Sequence, residues 1–191
     1  MPRWPEDSRR RLIDAALTLF DERGFAESTV DDIALRAGVT SRTFFRHFAD
    51  KDEVLFGDDD DLLPLLIASL ADGSGPVGAE AHMRNALLVL AADLEPRRDS
   101  LRRRQQIIDS QISLSGRELA KQALWQQTVT RTLVERGFPT DQADVLAAIG
   151  FALFRRSLHA WLADDHGPSL GERVSDALTR VRTVLDVTSS E

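Results

Sequence analysis

The sequence contains no cysteine, which excludes disulfides, thiolate metal sites and a cysteine nucleophile. Folding rests on packing alone. Lysine is also scarce, two against 22 arginines, and the 24 cations are outnumbered by 31 acids, leaving a net charge of -7 at pH 7. Bulk electrostatics therefore cannot attract nucleic acid, and any such binding needs a local patch. Long apolar runs are missing too. The longest, Val145 to Phe154, is too short to span a bilayer, and the start MPRWPEDSRRR lacks the apolar centre of a signal peptide, so the expected setting is cytoplasmic, without a membrane partner. There is no Gly-rich phosphate loop, HExxH or G-x-S-x-G, so no catalytic residue, metal or cofactor is expected.

What is present is helical periodicity over 191 residues, 42% of them apolar, enough for a substantial core. No run of alternating β-branched residues with hairpin turns interrupts it, so the class is all-α, with about nine helices. Asp7 or Ser8 caps a first helix whose apolar face is Leu12, Ile13, Ala16, Leu19 and Phe20, and Gly24 ends it. Ser28 or Thr29 caps a short second helix with Asp31 and Asp32 in its first turn, and Gly38 ends that one. Thr40 or Ser41 caps a third, to about Phe48. A fourth is expected from Asp50, kinked or split at Pro64. A linker at 71–76 precedes a fifth, with Pro76 in its first turn and its end near Leu94. Further helices are expected at 97–110, 114–136, 140–164 and 169–187.

One stretch departs from the acidic background. TSRTFFRHFADK, residues 40–51, gathers three phenylalanines, two arginines and a histidine before its first acid, Asp50. On a helical wheel Phe44, Phe45 and Phe48 are assigned to a packing arc, with Arg42, Thr43, Arg46 and His47 on the opposite one. So short a helix needs tertiary anchors, which the rings supply. The outward face then carries two arginines one turn apart, suited to guanine edges in a major groove, with Ser41 and Thr43 placed for phosphates. Ala34, Gly38 and Phe44 have helix-turn-helix spacing. Arg36 reads as a surface residue complementing its helix dipole.

TVDDIALRAGVTSRTFFRHFADKDEVLFG resembles the DNA-binding segment of the TetR family of bacterial transcriptional regulators, with a close match over residues 8–57. The resemblance implies a three-helix DNA-binding domain, residues 1–50, followed by a larger helical ligand-binding and dimerisation domain, residues 51–191. It places Thr29, Thr40, Ser41, Arg42, Thr43, Arg46, His47 and Lys51 at the DNA, with His47 and Lys51 on its backbone. Phe45 departs from members with tyrosine there, loses any phenol contact to phosphate, and is assigned to packing. A homodimer on a palindromic double-stranded operator is implied, as a repressor released when a ligand shifts its population.

The C-terminal part is less explicit. PRRDSLRRR, residues 96–104, suits an anionic headgroup, such as a coenzyme A phosphate, a second stretch of DNA, or a solvated helix whose arginine stems cover apolar surface. The run Asp58 to Asp61 lacks a calcium-loop pattern and reads as a solvated face. VLAAIGFALF is apolar nearly all round and needs cover on every side. Phe151, Leu158, Trp161, Val174, Leu178, Val181 and Leu185 are therefore assigned to a dimer interface. Leu66, Met83, Leu87, Gln111, Trp125, Phe151 and Phe154 are assigned to a pocket for a small lipophilic or acyl-CoA-like effector. The competing readings are an all-α enzyme, built around His82 and His159, and a small-molecule binding protein without DNA function.

Overall fold

Three consecutive side chains, Val54, Leu55 and Phe56, are all at least 97% covered, which one face of an α-helix cannot achieve. The chain here is a 3-10 turn, Asp52–Phe56, instead of the start of a long helix from Asp50. Gly57 follows the turn in right-handed helical backbone and is closely packed: a Cβ there would stand 2.7 Å from Ile13 Cδ1 and 3.2 Å from Phe48 Cε1. The expected division at Pro64 is corrected accordingly, since Pro64 lies inside the following helix.

The computed structural model describes residues 5–57, 59–71 and 78–187. The helices are α1 (Pro5–Arg23), α2 (Val30–Arg36), α3 (Ser41–His47), α4 (Asp59–Ala71), α5 (Ala79–Leu94), α6 (Arg98–Asp109), α7 (Ile112–Glu135), α8 (Thr140–Ala163) and α9 (Leu170–Val187), with a second 3-10 turn at Glu95–Arg97. Among the described residues there is no strand, so the all-α class holds. The expected linker lies, after Ala71, outside the described residues, as does Pro76; nor are the side chains of Asp7 and of residues 58–60 described.

Capping explains the short helices. Thr29 and Asp32 form a reciprocal capping box at the start of α2. Gly38, at φ +67°, closes α2 in the left-handed region, with the Val39 amide donating to Ala34 O at 2.9 Å. Thr40 then caps α3, its hydroxyl accepting from the Thr43 amide at 3.2 Å.

Packing divides the chain into two units: residues up to 60 with 99–118, and residues 61–98 with those from 119 onward. The core of the first joins Leu12, Ala16 and Phe20 of α1, Ile33 and Ala34 of α2, Phe44, Phe48 and the 3-10 turn to Ile107, Ile108 and Leu114 of α6 and α7. In the second, α5, α8 and α9 pack on one another. Met83 of α5 fills the space that a Cβ at Gly150 of α8 would take, with Sδ 3.0 Å from that point. Helix α8 is long and apolar enough to cross a membrane by length and composition, yet it belongs to this packed trio.

Candidate nucleic-acid interface

Two buried rings anchor helix α3. Phe44 is 0% and Phe48 2% exposed, with ring centroids 5.5 Å apart. Phe48 does so from extended backbone just after the helix, at φ -137° and ψ 135°. The assignment of Phe45 to packing is corrected: it is 58% exposed. At 100° per residue Phe45 points well away from Phe44 and falls between Ser41 and Arg42, so a finer wheel separates the two rings.

Arg42 and Arg46 are exposed on this same side, and neither has a hydrogen-bond or ion-pair partner among the described residues. The result is a small face with two uncommitted guanidinium groups and an aromatic ring, stationed on a buried anchor. Ser41 donates to Asp31 Oδ1, tying α3 to α2. Thr40 and Thr43 sit hydroxyl to hydroxyl at 3.1 Å. Thr29 donates to Asp32 Oδ2 at 2.6 Å, and its hydroxyl and amide hold the Asp32 carboxyl below the usual carboxylate range.

His47 is half-buried, its Nε2 2.9 Å from Ser8 Oγ. Burial, and then the charges of Arg46 and Arg9, hold its imidazole below the ordinary value. Lys51 donates to Phe25 O at 2.7 Å and to Ser28 O at 3.0 Å, with its ammonium 4.2 Å from the centre of the Phe25 ring. Two of its three donors thus serve the fold.

Several arginines brace this unit without having been singled out as site residues. Arg9 of α1 donates to His47 O at 3.2 Å and Gly57 O at 2.6 Å while lying over the Phe48 ring. Arg36 forms a two-pronged pair with Glu22 of α1, more than the dipole complement expected of it. From α6 and α7, Arg104 donates to Leu55 O, and Arg117 pairs with Asp50 at 2.9 Å and with Glu53. Burial alone would raise the Asp50 carboxyl, but Arg117 and the backbone amides of Glu53 and Asp52 outweigh it and hold it low. No local pattern announces such partners, because each is remote in sequence.

The residues expected to form a pocket lie mostly in the second unit. Leu66, Met83, Leu87 and Phe154 are buried in the second unit, Trp125 and Phe151 are half-buried, and Gln111 belongs to the first unit. A half-open cleft of about 460 Å³ lies between α8 and α9, lined by Leu153, Arg156, Ala160, Arg173, Ala177, Val181 and neighbours, none of them among these seven. Of the expected interface residues, Trp161 and Val174 are corrected: at 5% and 0% exposure they are covered within their own unit. Phe151, Leu158, Leu178 and Val181 keep partial exposure, and the side chain of Leu185 lies outside the described residues.

The arginines of 96–104 are largely engaged within the protein. Arg97 pairs with Asp93, Arg98 closes the end of α8 by donating to Trp161 O and Asp164 O, and Arg103 approaches Asp21 at 3.7 Å. His82 is buried, with Nδ1 3.1 Å from Gly78 O and Nε2 3.1 Å from Arg136. Neither His82 nor His159 lines the α8–α9 cavity. Among the described residues no three His, Asp or Glu side chains gather to hold a metal.

Comparison with known proteins agrees with this geometry. Residues 12–56 match the model for bacterial regulatory proteins of the tetR family. The chain is 29% identical to MftR of Mycobacterium tuberculosis, a transcriptional regulator named for mycofactocin biosynthesis, across 97% of this chain and 98% of that one. Among solved structures, Thermus thermophilus FadR, a TetR-family repressor in complex with lauroyl-CoA, is 26% identical with a TM-score of 0.55, covering 90% and 91% of the two chains. The fatty acid degradation regulator FadR of Bacillus halodurans, 16% identical, shares the fold at a TM-score of 0.64 over 94% and 95%. A helix-turn-helix whose cationic face has no partner among the described residues, the tetR-family segment matched at residues 12–56 and similarity along nearly the whole chain make this protein a DNA-binding transcriptional regulator with a TetR-family DNA-binding segment.

Proposed function

We propose that the protein is a ligand-responsive repressor that binds a palindromic operator as a homodimer and leaves it when a small lipophilic effector binds. The observation that carries the DNA half is the pair Arg42 and Arg46, exposed and without partners among the described residues, one turn apart on a helix held by Phe44. Two guanidinium groups so placed suit guanine edges, each good bidentate pair contributing about 1–3 kcal/mol of discrimination. Ser41, Thr43, Thr40, Thr29, His47 and Lys51 surround them as candidate phosphate contacts. Residues 1–50 act as the reading domain and 51–191 as the sensing and dimerising one.

Dimerisation is supported by α8, whose most apolar window is only 33% buried within the chain. A partner's α8 and α9 would cover the remainder, including Phe151, Leu158, Leu178 and Val181, and a twofold axis would match the two operator halves. For the effector, the lauroyl-CoA complex of Thermus thermophilus FadR supports an acyl-CoA-like molecule. Such a ligand acts only by preferring one conformation, so it would favour a form whose reading helices mismatch the operator.

Selection of bound sequences from a random duplex pool tests this reading. An enriched inverted repeat is expected, released by lauroyl-CoA or by another lipophilic ligand found in a screen. An unenriched pool, at low as well as moderate salt, would overturn it.

A further inference from the structure

Phe45 is 58% exposed on a helix of seven residues, where a polar residue would cost nothing in water. It is not loose. Its ring meets that of the fully buried Phe44 edge-on, with centroids 5.5 Å apart and planes at 82°. Around α3 it lies about 60° from Arg42, with Arg46 about 40° beyond, and all three are exposed, so ring and cations share the solvent side of the helix. A phenyl ring has neither donor nor acceptor for phosphate, and among base edges in the major groove its apolar counterpart is the 5-methyl group of thymine.

We propose that Phe45 is a specificity-determining residue that packs on a thymine methyl beside the guanines read by Arg42 and Arg46. This rests on the operator-binding reading above. One helical turn between the arginines spans about 6 Å, roughly two base-pair steps. Each operator half should therefore hold a thymine within about two base pairs of a guanine.

The test uses the full chain and the duplex enriched from a random pool, with each dT replaced singly by dU, which removes only the methyl group. At one position per half-site, dU is expected to weaken wild-type binding about fourfold, the effect of one lost buried methyl. Phe45→Ala should bind the all-thymine duplex less tightly and be indifferent to dU at that position. Phe45→Leu should keep part of the preference for the methyl, and far-UV circular dichroism should show both variants folded. Two results would overturn the proposal: no position where dU separates wild type from Phe45→Ala, or a Phe45→Ala protein that selects the same sequence with the same affinity. A pool that yields no enriched duplex for wild type would instead remove the operator reading itself.

Discussion

Replacing Phe44 by alanine should release the reading helix. The side chain is 0% exposed, and it contacts the Phe45 and Phe48 rings at centroid distances of 5.5 Å each. Removing a buried phenyl costs about 3–5 kcal/mol. That is a large share of the 5–15 kcal/mol that stabilises an ordinary domain. The loss should be concentrated in α3, because a helix of seven residues has little stability of its own and here the Phe44 and Phe48 rings are its buried anchors. Amide hydrogen exchange resolves this segment by segment, which suits a chain packed as two units. The amides of Thr43, bonded to Thr40, and of Phe48, bonded to Phe44 O at 3.0 Å, should exchange at least about a hundredfold faster, as 3 kcal/mol implies. Phe45→Ala, an exposed change, should leave them near wild type. If the Phe44→Ala amides keep exchange rates within about threefold of wild type, Phe44 does not anchor the helix.

The remaining expectations concern the supports of the same unit. With the His47 imidazole held below its ordinary 6.5 by burial and by Arg46 and Arg9, the folded chain binds fewer protons than the unfolded chain as pH falls below that value. Its contribution is therefore full above pH 6.5 and declines toward the folded-state pKa. Urea midpoints taken from about pH 7.5 to 5 should fall, with the fall diminished in His47→Gln; equal slopes in both proteins would clear His47 as a source. Gly57→Ala pushes a methyl to 2.7 Å from Ile13 Cδ1 and should cost about 1–3 kcal/mol in thermal or chemical denaturation, partly recovered by adding Ile13→Val. A neutral Gly57→Ala would show that the site is slack. Arg117→Ala removes the pairs with Asp50 and Glu53, and because the guanidinium is partly exposed the loss should be about 1 kcal/mol, shrinking with added salt. A loss independent of salt would point to packing against Phe56 as the main contribution.

Much of the fold was legible because its signals are local. The capping threonines, Gly24 and Gly38 at positive φ, and the apolar face of α1 all act within one or two turns. The class and the later helices followed from periodicity of the same kind. The close packing at Gly57 was not legible, since Ile13 and Phe48 press on it from elsewhere in the chain. Phe45 was misplaced through a coarse wheel, in which two adjacent aromatics were assigned to one side although successive residues diverge by 100°. Trp161 and Val174 show a different limit. An apolar stripe announces that it will be covered, but whether by its own protomer or by another is decided in three dimensions. The bracing by Arg9, Arg104 and Arg117 was equally hidden, because exposed and paired arginines look alike in sequence.

The central claim is that the exposed pair on α3 reads base sequence. Fluorescence anisotropy of the pool-enriched duplex against wild type, Arg42→Ala and Arg46→Ala, each titrated over a range of salt and against a scrambled duplex, tests it most directly. Each arginine variant should lose about 1–3 kcal/mol of preference for the enriched over the scrambled duplex. Variants that keep the full preference, or lose affinity equally for both duplexes, would contradict it and reduce these side chains to phosphate contacts or bystanders.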